Sequence, residues 1–154
     1  DDADHFAWPE KLSTPTPTVG NTLLDLMAVN KWHGAKAWAA GAQSIAPTIV
    51  GGSKKHGGPD LGPSRARKAW AQLGVNGGTI ADFAPERDFA EVPKLTVRMV
   101  ARIQGFPDDW HFTGRKTAAY RQVGNAFPPP VAEAVGRSIM QMFEMAVHRS
   151  VMVA

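Results

Sequence analysis

Residues Gly124-Asn125-Ala126-Phe127-Pro128-Pro129-Pro130 carry more chemical information than any other stretch of this sequence. A Gly-Asn turn running into consecutive prolines ends a strand and opens a helix. Proline is tolerated there because the first amides of a helix have no intrahelical partner. The amides that remain, together with the positive end of the helix dipole, predict a seat for an anion such as a carboxylate. The second chemical feature is charge. Residues 51–80 hold Lys54, Lys55, Arg65, Arg67 and Lys68 against Asp60, a local net of +4, whereas residues 1–25 carry −4 and the whole chain +3. A basic, glycine-rich segment is what contact with a phosphate backbone requires, and a solvated charged loop is the alternative.

Absences narrow the chemistry further. The 154 residues include no cysteine, which removes disulfides, thiolate metal sites and a cysteine nucleophile together. The five histidines show no ligand spacing, so no metal site is expected. No apolar run approaches the roughly 20 residues that span a bilayer, and the opening Asp1-Asp2-Ala3-Asp4 lacks the charge pattern of a secretory leader. A soluble, cytoplasmic protein with no membrane partner is the expectation. An apolar content of 44% with 20% charged residues suits one folded domain, or part of a larger one.

The elements that must position these groups are short, as twelve prolines and fifteen glycines require. Residues 13–18 alternate threonine and proline and read as an extended connector. Asn21 caps a helix over 22–29 that buries Leu23, Leu26, Met27 and Val29, and a second short helix includes 35–40. Residues 45–50 are apolar and β-branched around Pro47 and read as a strand, followed by a loop from Gly51 to Gly62. Ser64 caps a helix over 65–73 in which Ala66, Ala69, Trp70 and Leu73 share one face, making Trp70 a core anchor. Thr96 opens a helix over 97–104, ended by Gly105. The last helix runs from Pro129 or Pro130 to about His148. Its apolar stripe is Val131, Val135, Ile139, Met142 and Met145, with Glu133, Arg137, Gln141, Glu144 and His148 facing away. The fold class expected is α+β: a small domain of short strands, loops and short helices, with a C-terminal amphipathic helix.

The segment Leu95-Thr96-Val97-Arg98-Met99-Val100-Ala101-Arg102-Ile103-Gln104-Gly105-Phe106-Pro107-Asp108-Asp109-Trp110 closely resembles the ninth sequence block of DNA (cytosine-5) methyltransferases. Tyr120-Arg121-Gln122-Val123-Gly124-Asn125-Ala126-Phe127-Pro128-Pro129-Pro130-Val131-Ala132 resembles their tenth block, in the same order and at a similar separation. Ile45-Ala46-Pro47-Thr48-Ile49-Val50-Gly51-Gly52 is similar to their target-recognition region, where a threonine and an aliphatic residue precede a glycine-rich loop.

The resemblance implies a C-terminal portion. Residues 1–28 would be a connector, 29–94 a target-recognition region, and 95–154 the ninth and tenth blocks with a helix that belongs to the catalytic domain. It implies duplex DNA as partner and S-adenosylmethionine as cofactor. It also implies a catalytic half, in cis or as a separate subunit, carrying the Pro-Cys nucleophile that this sequence lacks. No catalytic residue is therefore assigned, and the chain alone is expected to be inactive as an enzyme. Asn125 and Ala126 carry over as cofactor contacts. Thr48 and Ile49 carry over as residues close to the DNA backbone, although Ile49 also suits simple packing. Lys54, Lys55, Arg65, Arg67 and Lys68 are phosphate-contact candidates on ionic grounds.

One departure stands out. The family has Glu where this chain has Met99, so the capping box begun by Thr96 is expected to lose one arm, at a cost on the order of 0.5–1 kcal/mol. Arg98 and Arg102 read as supports of the domain interface rather than as DNA contacts. Two other readings stay open: a DNA-binding module without catalysis, and a protein-interaction domain docking through its last helix.

Overall fold

Thr18, in extended conformation (φ −82°, ψ 158°), accepts a hydrogen bond from the Asn21 amide and starts the first helix three residues ahead of the sequence expectation. The shift has a packing cause: Val19 is buried, and it is the first residue of that helix. The computed structural model describes residues 6–11, 15–51 and 58–152, with side chains to 148. Among them the helices are α1 (Val19–Met27), α2 (Ala35–Gly41), α3 (Ser64–Gln72), α4 (Val97–Ile103), α5 (Lys116–Asn125) and α6 (Pro129–Met152).

The expected α+β class is overturned. Among the described residues there is no sheet, and the one β feature is an isolated parallel bridge between Ala81 and Thr96. Residues 45–50 are β-branched but form no strand. Pro47 removes a ladder donor mid-segment, and no neighbouring strand offers a ladder to join. A strand is made by its partner as much as by its own propensity.

The chain divides into two units. One is Thr16–Ala126; the other joins the described part of Asp1–Pro15 to Phe127–Ala154. Within the first, α1 packs on α2 and α4, and α4 packs on α5. Leu23 and Met27 of α1, Trp70 of α3, Met99 and Val100 of α4, and Tyr120 and Val123 of α5 are all buried in one core with the loop residues Leu61, Val75, Ile80 and Leu95. Trp70 is thus the core anchor its helical spacing predicts. Its indole N–H, however, is buried without a hydrogen-bond partner.

Side-chain hydrogen bonds lock α4 in place. Thr96 accepts from the Met99 amide at 3.3 Å, and the Met99 sulfur accepts in return from the Thr96 amide at 3.4 Å. The box therefore keeps both arms, with a thioether in place of the family's carboxylate. Sulfur is a weak acceptor, but Met99 is 1% exposed, and a carboxylate there would be a buried charge. Arg98 donates to the carbonyls of Pro107 (2.9 Å) and Trp110 (2.7 Å). Arg102 makes a two-toothed pair with Asp108 and reaches Asp25 of α1 at 2.5 Å. Both arginines hold the 106–110 turn against the helices of this unit. Ser64 opens α3 but does not cap it; Pro63 occupies the cap position without a side-chain bond.

In the second unit α6 starts at Pro129, as expected. Its inward stripe is only partly realised: Val135 and Met142 are half-buried, whereas Val131, Ile139 and Met145 are exposed, together with Met140, Phe143 and Val147.

Candidate functional site

Helix α5 is the element that brings the candidate residues together, and sequence patterning gives little warning of it. Its buried positions are Ala119, Tyr120 and Val123, and it ends at Gly124-Asn125. Two glycines make the contact. A methyl group added to Gly124 would lie 2.5 Å from Gly51 Cα and 2.7 Å from Gly51 N, and one added to Gly51 would collide with the Asn125 carboxamide. Glycine at 124 is what lets these backbones touch, and Gly51 leaves room for the Asn125 carboxamide beside them. The segment bearing Thr48 and Ile49 therefore crosses directly over the end of α5.

Tyr120 fastens this crossing. Its phenol oxygen lies 2.9 Å from the Val50 carbonyl and 2.6 Å from the Asp60 carbonyl, so one hydroxyl proton serves two acceptors. Val50 and Asp60 flank the glycine- and lysine-rich stretch, and Tyr120 ties the two flanks to α5. The side chain is fully buried, and burial first, then the Asp60 charge, pushes its pKa up to about 12. Gly62 adds a second tie: a Cβ there would meet Val50 Cγ2 at 3.0 Å and Ala66 of α3 at 3.3 Å.

The structure places the predicted residues as follows. Thr48 is exposed, while Ile49 is half-buried against the core. Asn125 is exposed and makes no hydrogen bond to a described residue, leaving its carboxamide free to donate and accept. Ala126 is half-buried, its amide directed at the Val123 carbonyl at 3.3 Å. Arg65, Arg67 and Lys68 are exposed on α3, and none has an ion-pair partner among the described residues. Lys54 and Lys55 lie outside the described residues.

The free helix-start amides expected beyond Gly124 are not there. Gly124 and Asn125 close a helix at its C-terminal, electronegative end. At the start of α6, Pro128, Pro129 and Pro130 have no amides, and the Val131 and Ala132 amides both donate to the Pro128 carbonyl at 2.9 Å. No free amide is left in that first turn for an anion. What residues 124–126 offer a ligand is the Asn125 carboxamide. Tyr120, which ties the crossing together, is not singled out by residue type; its signal in the sequence is its place four residues ahead of Gly124, one helical turn away.

The C-5 cytosine-specific DNA methylase family model matches residues 4–141. The type II methyltransferase M.NaeI of Lentzea aerocolonigenes is 60% identical over 146 residues, covering 93% of this chain and 35% of the relative. M.NgoMIV of Neisseria gonorrhoeae, also a type II methyltransferase, is 49% identical over 139 residues, covering 88% of this chain and 44% of the relative. A DNA (cytosine-5)-methyltransferase 1A of Oryza sativa is 47% identical over 62 residues, 40% of this chain and 4% of the relative. The chain thus spans less than half the length of these relatives. No solved structure matches it.

Proposed function

The chain belongs to the C-5 cytosine-specific DNA methylase family, and we propose that it is the DNA-reading and C-terminal part of a type II cytosine-5 methyltransferase. The observation that carries this reading is the glycine–glycine crossing fastened by Tyr120. It joins the segment bearing Thr48, the candidate DNA-facing residue, to the turn bearing Asn125, the candidate cofactor-facing one. An enzyme that moves a methyl group from a bound cofactor onto a base needs those two surfaces held in fixed register.

The residues present fit part of a pocket for S-adenosylmethionine, which when bound supplies the methyl group. Asn125 would hold it through its unpartnered carboxamide, and Ala126 would line the same turn. The turn lacks the free helix-start amides that would bind a carboxylate, so most of that grip must come from residues outside this chain. The reaction also needs a thiolate to add to cytosine C6 and make C5 nucleophilic, on a base first swung out of the duplex. With no cysteine, this chain supplies no such step. Its share is to dock duplex DNA through exposed cations and to close one wall of the pocket.

The test is reconstitution. The chain is mixed with a polypeptide carrying the first eight sequence blocks of a close relative, and transfer of labelled methyl groups to duplex DNA is measured. Neither piece alone should transfer, and the mixture should. Absence of transfer from every such mixture, with DNA binding indifferent to S-adenosylmethionine, would favour a DNA-binding module without catalysis.

A further inference from the structure

Away from the glycine crossing, α3 and the turn at residues 74–78 enclose an open groove of about 580 Å³. Ser64, Arg67, Lys68 and Ala71 form its helical wall; at i, i+3, i+4 and i+7 they share one face of α3. The opposite wall is the glycine-rich turn itself. That turn is held rigidly: the Val75 amide donates to Trp70 O (3.1 Å), the Asn76 amide to Pro93 O (2.8 Å), and Gly77 O accepts from the Leu61 amide (3.0 Å). The Asn76 side-chain oxygen accepts from the Gly78 amide at 3.0 Å, which fixes the carboxamide and leaves its NH2 group directed elsewhere.

Three observations identify an occupant. No acidic side chain lines the groove among the described residues, while two cations do. Both cations are exposed and have no partner within the described chain. The wall they face carries glycine at 74, 77 and 78, so a bulky, rigid ligand can come close to the backbone. Arg67 differs from its neighbours in one respect. A Cβ on Gly77 would lie 3.3 Å from Arg67 Cγ and 3.5 Å from its Cα, so the arginine stem rests on the glycine turn. A stem already packed loses little freedom when its guanidinium binds, which suits two-point recognition where geometry matters. Lys68 is a flexible point charge, suited to a phosphate.

We propose that this groove seats one edge of duplex DNA, with Arg67 reading a base edge, Asn76 as a second base-facing group and Lys68 holding a phosphate. The assignment rests on the reading that the chain docks duplex DNA, and it adds which residue carries sequence preference.

Selection from a randomised duplex pool by the chain, followed by fluorescence anisotropy against salt, tests it. The wild-type chain should enrich a defined sequence. Arg67→Gln should lower discrimination at one position of that sequence by roughly tenfold to hundredfold, the range for one two-point arginine–base contact. Arg67→Lys keeps the charge, and should lose the same discrimination while holding affinity for unrelated duplexes and the salt slope near wild type. Lys68→Gln should weaken all duplexes alike and reduce the salt slope by about 0.9 without changing the enriched sequence. Because Arg67→Lys leaves an exposed charge in place, its loss of preference cannot be charged to unfolding. An enriched sequence unchanged in both Arg67 variants, or a uniform loss of affinity in both, overturns the assignment and leaves the docking reading standing. A wild-type chain that binds DNA with no preference also overturns it. Failure to bind duplex at all overturns both.

Discussion

Replacing Tyr120 with phenylalanine removes one oxygen and leaves the ring volume intact, so no cavity opens and the effect is confined to hydrogen bonding. That oxygen lies 2.9 Å and 2.6 Å from two carbonyls, those of Val50 and Asp60. One hydrogen bond lost is worth about 1 kcal/mol net, and because Val50 is exposed and Asp60 half-buried, water can reach the freed carbonyls and little more is added. The expected total is about 1–2 kcal/mol, since one proton can fully satisfy only one acceptor at a time. With a urea dependence of about 1–3 kcal/mol per molar, the unfolding midpoint should fall by about 0.5–1 M. Tryptophan fluorescence reads the transition, because Trp70 lies in the same core. The pH dependence supplies an internal check. Tyr120 titrates near 12 in the folded chain against an ordinary value of 10, so its neutral form is favoured by folding. The stabilisation is complete below about pH 10 and disappears as pH rises through about 12. Tyr120 is the only tyrosine, so near-ultraviolet absorbance follows its ionisation without ambiguity. A midpoint within about 0.2 M of wild type, or a tyrosine that ionises near its ordinary value, refutes the fastening role.

Three further outcomes are expected. Gly124→Ala forces a methyl to 2.5 Å from Gly51 Cα and should destabilise the chain by about 1–3 kcal/mol, whereas Gly136→Ala in α6 meets open space and should raise thermal helicity slightly; denaturation followed by circular dichroism separates them. Arg102→Ala severs the pairs with Asp108 and Asp25 and should cost about 1–2 kcal/mol, the pairs being partly exposed. Hydrogen bonding to Arg102 holds both carboxyls below their ordinary range, so wild type should lose this stabilisation as pH falls through the lowered values, and the variant should lack that loss. Thr96→Ala removes one arm of the sulfur-closed capping box and should cost about 1 kcal/mol, checked by the urea midpoint.

Helical segments were legible to the extent that their signals were local. The apolar spacing of 66–73 and the threonine at 96 announce α3 and α4 within a residue or two. Residues 45–50 misled because β-branching reports what a backbone tolerates, and only the tertiary structure decides whether a strand finds a partner. Helix α5 escaped because Gly124 and Asn125, which look like a turn, are its last two residues. The same error put a positive helix end where the structure has a negative one. Met99 shows the converse limit: a sulfur can replace a carboxylate in a cap, and no pattern of residue types says so in advance. The meeting of Gly51 with Gly124, seventy-three positions apart in sequence, is not written in either local stretch.

That meeting has a mechanical consequence. Where side chains touch, a rotamer change can absorb small displacements; where two main chains bear directly on each other, nothing softer stands between them. A push on the stretch holding Thr48 therefore bears on the corner holding Asn125 through main chain, with no side chain between Gly51 and Gly124 to turn aside.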